Sequence, residues 1–570
     1  MAEVISDPRP LLAVLVSAIA VVLIVASHRY PNVREGWSVL AAVSKFAIVA
    51  SMLPGVMDGT VYVWSFGPFV SDIEFALRAD PLGMLFALLA SFLWIFTSFY
   101  ATGYMRGLDE HAQTRFFAAF AASLSTAVGI AFAQNLLTIF IFYELLSLVT
   151  YPLVAHDEND EARIAGRKYL AYTFFGGGVF LLAGTVLTYY LTGVYGNTAT
   201  VDFAAGGIPQ LGDVAAADPY LAQVTFALLA AGFGVKAAVM PLHSWLADAM
   251  VAPTPVSGLL HAVAVVKSGA FGVARVILDV FGPATTREIG MHIPLAALAA
   301  FTLVAASVIA LRKDNLKRRL AFSTTAQLSY IVLGLSLLHP IALVGALLHI
   351  PAHAFGKLTL FFCAGAIHVE THTDNISEMA GIGKRMPLTM AAFTVGAASM
   401  AGIPLLAGFV SKFYLLIGSL GAGGIDGMGV GIPVMDAGLG IVFASALIVS
   451  GLLNIAYFWP IVYTAYFETE DVHDAKPLLE FPIGGERRSA TGAIADGGHE
   501  HHHGGHDDHH GGAPPEGWDR RSPLTESTWL MLAPISLLAV GAITLGIGPD
   551  HAVFLELARY IVGEVTGVTV

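Results

Sequence analysis

Cysteine is almost missing from this chain: Cys363 is the only one in 570 residues. That excludes an internal disulfide framework, a Cys₄ zinc site and a Cys-ligated iron–sulfur cluster held by this chain. Charge is scarce too, at 12% Asp, Glu, Lys and Arg beside 56% hydrophobic residues, where soluble domains carry about 25% charge. A mean hydropathy of +0.71 leaves too much apolar side chain for one aqueous core, so the bilayer must be the solvent. The formal net charge of -13 argues against nucleic acid as a partner. No G-x-G-x-x-G follows a strand and there is no phosphate loop, so the chain is expected to bind no nucleotide or other cofactor and to perform no redox step itself. The first apolar run, Leu11 to Ser27, lacks a basic n-region and a small-residue cleavage site, so no cleavable signal is expected.

What the sequence has in abundance is apolar runs. Candidate spans begin near Leu11, Trp37, Pro81, Phe116, Asn135, Lys168, Tyr220, Val256, Ile293, Leu320, Ile341, Leu388, Ala437 and Ser527, which predicts an all-α, multi-pass cell-membrane protein of about fourteen helices. The stretch Val553 to Val565 is too short to span and is read as an amphipathic tail. Basic residues cluster in the odd loops (Arg29 and Arg34; Arg106 and Arg115; Arg163, Arg167 and Lys168; Arg312 to Arg319; Lys384 and Arg385) and are missing from 196–219 and 421–438. The odd loops are therefore assigned to the cytoplasm and both termini to the outside. The segment 1–114 holds the first three helices, and 527–570 the last helix and the tail. The loop 468–526 is polar and expected to be unstructured. It carries GGHEHHHGGHDDHHGG, whose His501, His502, His503, His506, His509 and His510 are weak candidates for metal binding; a low-complexity insertion is the plainer reading.

Ionisable groups inside hydrocarbon are costly and mark function by default. Glu144, Lys236, His261, Lys267, His349, His353, Lys357 and Lys412 all fall inside candidate spans. His349, His353 and Lys357 step by four residues, within an arc of about 80° on one helix face. Lys236 is followed by Pro241, and Lys412 follows Pro404; proline inside a span breaks the helix and is tolerated where the break lines a polar cavity. Burial penalises charged Lys and Glu, so such groups can exchange protons near neutral pH. Plainer readings stand beside this one. Glu144 and Lys236 form a structural ion pair, Lys267 snorkels to an interface, and His349 and His353 bond neighbouring helices. Zinc ligation by those histidines lacks a clear third and fourth ligand. Lys45 is placed near a membrane boundary, off the path.

GFGVKAAVMPLHSWLADAMVAPTPVSGLLHAVAVVKSGAFGVAR, Gly232 to Arg275, resembles the seventh and eighth helices of the antiporter-like subunits shared by Mrp cation/proton antiporters, respiratory complex I and membrane-bound hydrogenases. FYELLSLVTYPLVAH around Glu144, HIPAHAFGKLTLFF around Lys357 and AGIPLLAGFVSKF around Lys412 are similar to the motifs of the fifth, eleventh and twelfth helices. The resemblance covers about Arg115 to Phe467 and is nearest the D-type Mrp subunit. SWLADAM departs from the family in lacking a proline after Trp-Leu, and the His-rich loop is a second departure.

The resemblance implies two inverted five-helix repeats containing broken helices, 115–282 and 283–467. It implies a proton path in which Glu144 pairs with Lys236, the proton passes through His261, Lys267, His349, His353 and Lys357, and Lys412 is the terminal exchange site. It also implies no catalytic residue, membrane subunits as partners in a hetero-oligomer, and protons and Na⁺ as the transported ions. A redox-driven pump of the complex I or hydrogenase type, and the membrane partner of an inorganic-carbon uptake complex, use the same residues. A metal receptor built on the His-rich loop leaves the buried lysines unexplained.

Overall fold

Proline and short polar caps mark where the apolar runs become helices. Proline occupies the first turn of α2 (Pro31–Met57), α3 (Pro81–Gly107), α7 (Pro219–Lys236), α11 (Pro340–Thr371) and α12 (Pro387–Ala401), where its missing N–H costs nothing. Side chains of Asp80, Asn135, Asn159, Asp218 and Asn315 accept a backbone N–H at the starts of α3, α5 (Leu136–Val154), α6 (Asp160–Gly196), α7 and α10 (Leu316–Ser336), the ordinary role of Asn and Asp at an N-cap. The other helices longer than ten residues are α1 (Arg9–Ala26), α4 (Gln113–Phe132), α8 (Val265–Arg275), α9 (His292–Leu311), α13 (Ala407–Ala422), α14 (Ala437–Phe467), α15 (Trp529–Ile547) and α16 (Val553–Thr566). α6 runs from Asp160 to Gly196 through a π-helical turn, Ala171–Gly177.

The structure, a computed structural model, describes residues 3–425, 433–470, 511–514, 516–551 and 553–570. The candidate metal histidines His501, His502, His503, His506, His509 and His510 lie outside the described residues. Among the described residues, ten helices are long and apolar enough to cross a membrane. The other expected spans are the 18-residue α7, the π-interrupted α8, the basic α10, and α12 with α13, which split one span in two.

A small sheet adds to the helical expectation: β1 (Glu3–Ser6) runs parallel to β2 (Thr60–Val70), which pairs antiparallel with β3 (Ile73–Ala79). Lys45, read as near a boundary, is fully buried in the middle of α2, where its ammonium donates to the Leu124 carbonyl at 2.7 Å. α16 packs its apolar face, Phe554, Leu555, Leu557, Ala558, Ile561 and Val562, into the bundle.

The loops sort to two ends as the charge alternation requires. Arg34 bonds Gln113 and Thr114, Arg115 pairs with Glu158, Arg318 with Glu161, and the N–H of Leu316 donates to the Asp374 carbonyl. Those contacts gather the odd loops. At the other end Arg78 bonds the Phe203 carbonyl, Leu77 bridges Ala133, and Ala204 bonds Asp279. One backbone pattern appears at both ends. Leu136 donates to Val201 and Phe203 to Gln134, around a bridge between Asn135 and Asp202; Leu316 donates to Asp374 and Ile376 to Asp314, around a bridge between Asn315 and Asn375. α5 separates the two, with Asn135 at its start and the Arg318–Glu161 pair past its end, about 28 Å away at 1.5 Å per residue.

The loop expected to be unstructured over 468–526 is ordered and packed at its C-terminal side. The indole of Trp518 donates to the Ala380 carbonyl at 2.7 Å. Fully buried Glu526 accepts from the N–H groups of Leu388 and Thr389 at 2.8 and 2.7 Å and from the Thr389 hydroxyl at 2.6 Å. It therefore caps α12 from outside the helix. Glu526→Ala is expected to cost about 2–3 kcal/mol by leaving buried donors unmet, read as a lower thermal unfolding midpoint of the purified protein; an unchanged midpoint would show that α12 does not depend on this cap.

Candidate functional site

The two broken spans set the site. α7 stops at Lys236, and the chain passes through Ala238 at φ +54° before a short helix, Ser244–Asp248. The freed backbone is met locally: the Trp245 indole donates to the Val235 carbonyl at 3.0 Å, and the Met240 N–H donates to Thr302 at 3.1 Å. Pro241 lies in this break and Pro404 in the other, where α12 ends, Gly402 and Leu405 take φ of +87° and +71°, and α13 begins. Both expected helix breaks are thus present, with a lysine beside each.

Lys236 is fully buried, and its ammonium donates to the Tyr143 carbonyl at 2.5 Å and lies 3.4 Å from the Tyr143 ring centroid. The expected Glu144–Lys236 ion pair does not close. Glu144 follows Tyr143 on α5, half-buried, with its carboxylate against Gly178 of α6 and Oε1 without a hydrogen-bond partner. A helix turns about 100° per residue, so residue 143 faces α7 while residue 144 faces α6. Lys236 therefore rests on a neutral carbonyl and a ring face, with the carboxylate one residue away.

Lys267 is fully buried on α8, and its ammonium donates to the Ile350 carbonyl at 3.0 Å, beside Pro351 of α11. His261, on the π-helical turn Leu259–Val263, packs its ring 4.8 Å from that of Phe361, and neither ring nitrogen has a hydrogen-bond partner. His349 bonds Ser411 at 2.8 Å through Nδ1 and Gln327 at 3.0 Å through Nε2. His353, 6.2 Å from His349 ring to ring, has both nitrogens unpartnered, and it lies within electrostatic reach of Lys267, Lys357 and His261. The Lys357 ammonium donates to the Leu320 carbonyl at 3.1 Å. Lys412 donates to the Met400 carbonyl at 2.5 Å, and that carbonyl also accepts from Asn454 at 3.1 Å. Asn454 continues to the Tyr457 hydroxyl at 2.5 Å and on to Ser323 at 2.7 Å.

Lys236, His261, Lys267, His349, His353 and Lys357 therefore line the bundle interior, and Glu144 and Lys412, both half-buried, sit at its edge. Four ammonium groups each rest on a backbone carbonyl, and none closes an ion pair with a carboxylate among the described residues. Sequence reasoning missed Gln327, Ser411, Asn454 and Tyr457. Asn454 was findable, as a lone amide in the apolar run GLLNIAYFWP, since polar side chains in such runs bond across helices. It also missed the buried Arg275, which bonds Asp80 at 2.7 and 2.8 Å and Asp279 at 2.6 Å.

Close helix contact positions the first lysine. A Cβ on Gly269 would lie 2.2 Å from the Ala237 nitrogen and 2.6 Å from the Lys236 carbonyl carbon. Both are backbone atoms, so Gly269→Val must spread α7 from α8. It is expected to cost about 1–3 kcal/mol and to displace Lys236, read as a lower unfolding midpoint together with reduced transport; a variant normal in both would remove Gly269 from the account.

Comparison with known proteins places this arrangement. The family model described as "NADH:quinone oxidoreductase/Mrp antiporter, TM" matches residues 133–435, and that described as "NADH-Ubiquinone oxidoreductase (complex I), chain 5 N-terminus" matches 67–117. The chain is 33% identical over 418 residues to NADH-quinone oxidoreductase subunit N of Desulforudis audaxviator, covering 72% of this chain and 76% of that one. It is 35% identical over 372 residues to the A/B subunit of a probable K(+)/H(+) antiporter of Rhizobium meliloti, covering 64% of this chain but 35% of that one. It is 32% identical over 374 residues to the A-type subunit of the Na(+)/H(+) antiporter of Alkalihalophilus pseudofirmus, covering 63% and 44%. The chain thus spans three quarters of the first relative and less than half of the other two. In fold it matches a chain of the Mrp complex from Dietzia sp. DQ12-45-1b, with a TM-score of 0.75, 21% identity and coverage of 98% and 97%. A chain of an archaeal membrane-bound sulfane sulfur reductase matches with a TM-score of 0.74, 21% identity and coverage of 98% of each chain.

Proposed function

Because this chain belongs to the family of transmembrane subunits common to NADH:quinone oxidoreductase and the Mrp antiporters, we propose that it is the proton-translocating subunit of a multisubunit Mrp-type Na⁺/proton antiporter. The observation that carries this reading is the set of buried ammonium groups resting on carbonyls. An unmatched buried charge is costly, and here four such lysines follow one another through α7, α8, α11 and α13 with histidines between them, whereas Lys45, also on a carbonyl, stands alone in α2. A lysine on a carbonyl keeps one hydrogen bond and has no anion to hold its proton. The histidines between them supply groups that both accept and donate.

The backbone pattern shared by Asn135 and Asn315 at opposite ends supports reading 115–282 and 283–467 as inverted repeats. Each repeat then contributes one broken helix, α7 and its continuation in the first, α12 and α13 in the second. Such repeats place their working residues where the broken helices meet. Protons enter by one half, pass Lys236, Lys267, His353, His261 and Lys357, and reach Lys412, where Asn454 and Tyr457 continue the polar line. Glu144, at the edge of the bundle beside α6, is the group through which a neighbouring subunit controls Lys236. The outward apolar face of α6, with Phe175, Val179 and Tyr190 each more than half exposed, suits lipid or such a neighbour.

Purified complex in proteoliposomes is expected to acidify or alkalinise its lumen in response to a Na⁺ gradient, with K⁺ as the comparison cation. Exchange with neither cation would remove the antiporter reading. The match to the N-type oxidoreductase subunit over three quarters of its length favours a second reading, a redox-driven proton pump. Co-purification of Cys-rich iron–sulfur proteins, with proton movement driven by electron transfer, decides for it.

A further inference from the structure

A group of side chains outside the proton file lies at the end where the odd loops gather. Glu110 and His111 follow α3, and His156 follows α5. One ligand atom from each lies within 4.8 Å of the others. His111 Nδ1 is 3.7 Å and His156 Nε2 3.8 Å from Glu110 Oε2, and the two rings lie 4.8 Å apart. His156 is 0% exposed, and neither of its ring nitrogens has a hydrogen-bond partner. An imidazole buried in that state is destabilising unless something binds it.

His111 Nε2 donates to the His156 carbonyl at 3.0 Å, which fixes the tautomer and leaves Nδ1 facing Glu110. A ligating histidine typically bonds a carbonyl through its other nitrogen in this way. Arg115 also donates to the His156 carbonyl, at 2.9 Å, so the loop holding the buried ring is tied to the one holding the other two groups.

We propose that Glu110, His111 and His156 form a binding site for a divalent transition-metal ion of the Zn²⁺ class. Two imidazoles and a carboxylate are ligands suited to zinc, which leaves one position of a tetrahedron for water. Ligand atoms around tetrahedral zinc lie about 3.4 Å apart, so the separations of 3.7 to 4.8 Å close with small rotations, and both His111 and Glu110 have the exposure to make them. Bound metal joins the loop after α3 to the loop after α5 and so stiffens the end of the helix that carries Glu144.

The test uses the full chain in its complex, with His499, His501, His502, His503, His506, His509 and His510 replaced by serine so that the His-rich stretch binds nothing. Zn²⁺ affinity is measured by competition with a chromophoric chelator, and Co²⁺ substitution is read from its visible absorption. The expected result is one Zn²⁺ per chain, a tetrahedral Co²⁺ band, and at least tenfold weaker binding in His111→Ala and in Glu110→Gln. Because His111 is exposed, its variant keeps the metal-free unfolding midpoint and loses the rise that Zn²⁺ produces. No Zn²⁺ bound in the serine background, or affinity unchanged in both variants, overturns the proposal.

Discussion

Lys236→Ala in the assembled complex is expected to reduce coupled cation–proton exchange about 100-fold or more, the scale on which positioned proton donors and acceptors act. The ammonium is fully buried and bonded only to the Tyr143 carbonyl and ring. Removing it deletes the first group of the file and leaves that carbonyl with the Ser147 hydroxyl, at 3.3 Å on the same helix. Lys236→Arg separates transport from structure. Arginine keeps the charge and the hydrogen bond but cannot give up its proton in a protein. If Lys236 only holds α5 to α7, arginine restores exchange; if it passes protons, the arginine variant assembles and stays inactive. Exchange is measured in proteoliposomes with a pH-sensitive dye, beside an unfolding midpoint to show that the complex is intact.

Arg275→Leu is expected to give the largest loss of stability, about 3–5 kcal/mol, the usual cost of removing one partner from a buried ionic group. Arg275 is 1% exposed and joins Asp80, the cap of α3, to Asp279 just past α8. Without the guanidinium, two carboxylates remain buried and face each other. The unfolding midpoint should fall steeply, and Asp279→Asn in the same chain should recover part of the loss by removing one orphaned charge. A midpoint unaffected by Arg275→Leu would mean that the cluster of charge does not tie these helices together.

The lysines and histidines were legible in the sequence because each is a local anomaly, a polar residue in an apolar run, and the ends of α7 and α12 were legible because a proline follows each; a part in proton transfer is what we propose for them. Pairing was harder to read. Glu144 and Lys236 attract on paper, but the carbonyl one residue earlier takes the ammonium, and only the rotation of α5 against α7 decides that. Partners contributed from distant helices, such as Gln327 and Ser411 around His349, carry no signal in their own neighbourhoods. The sheet of β1 to β3 was hidden because it fills the connections of long helices, β1 before α1 and β2 and β3 between α2 and α3. Glu526 looked like part of a polar loop, and its role as a cap depends on a contact 137 residues away in the chain.

Comparing buried lysines on and off the proposed line tests the account most directly. Lys236, Lys357 and the part-buried Lys412 lie along it; Lys45 is as deeply buried as the first two, bonds the Leu124 carbonyl and faces Trp94, but belongs to the N-terminal helices. Proton flux in proteoliposomes containing the complex is measured for the alanine variant of each. Flux should fall to the leak rate for the first three and persist for Lys45→Ala in correctly assembled complex. Wild-type flux in any of the first three, or equal loss in all four, would contradict a proton file built from these side chains.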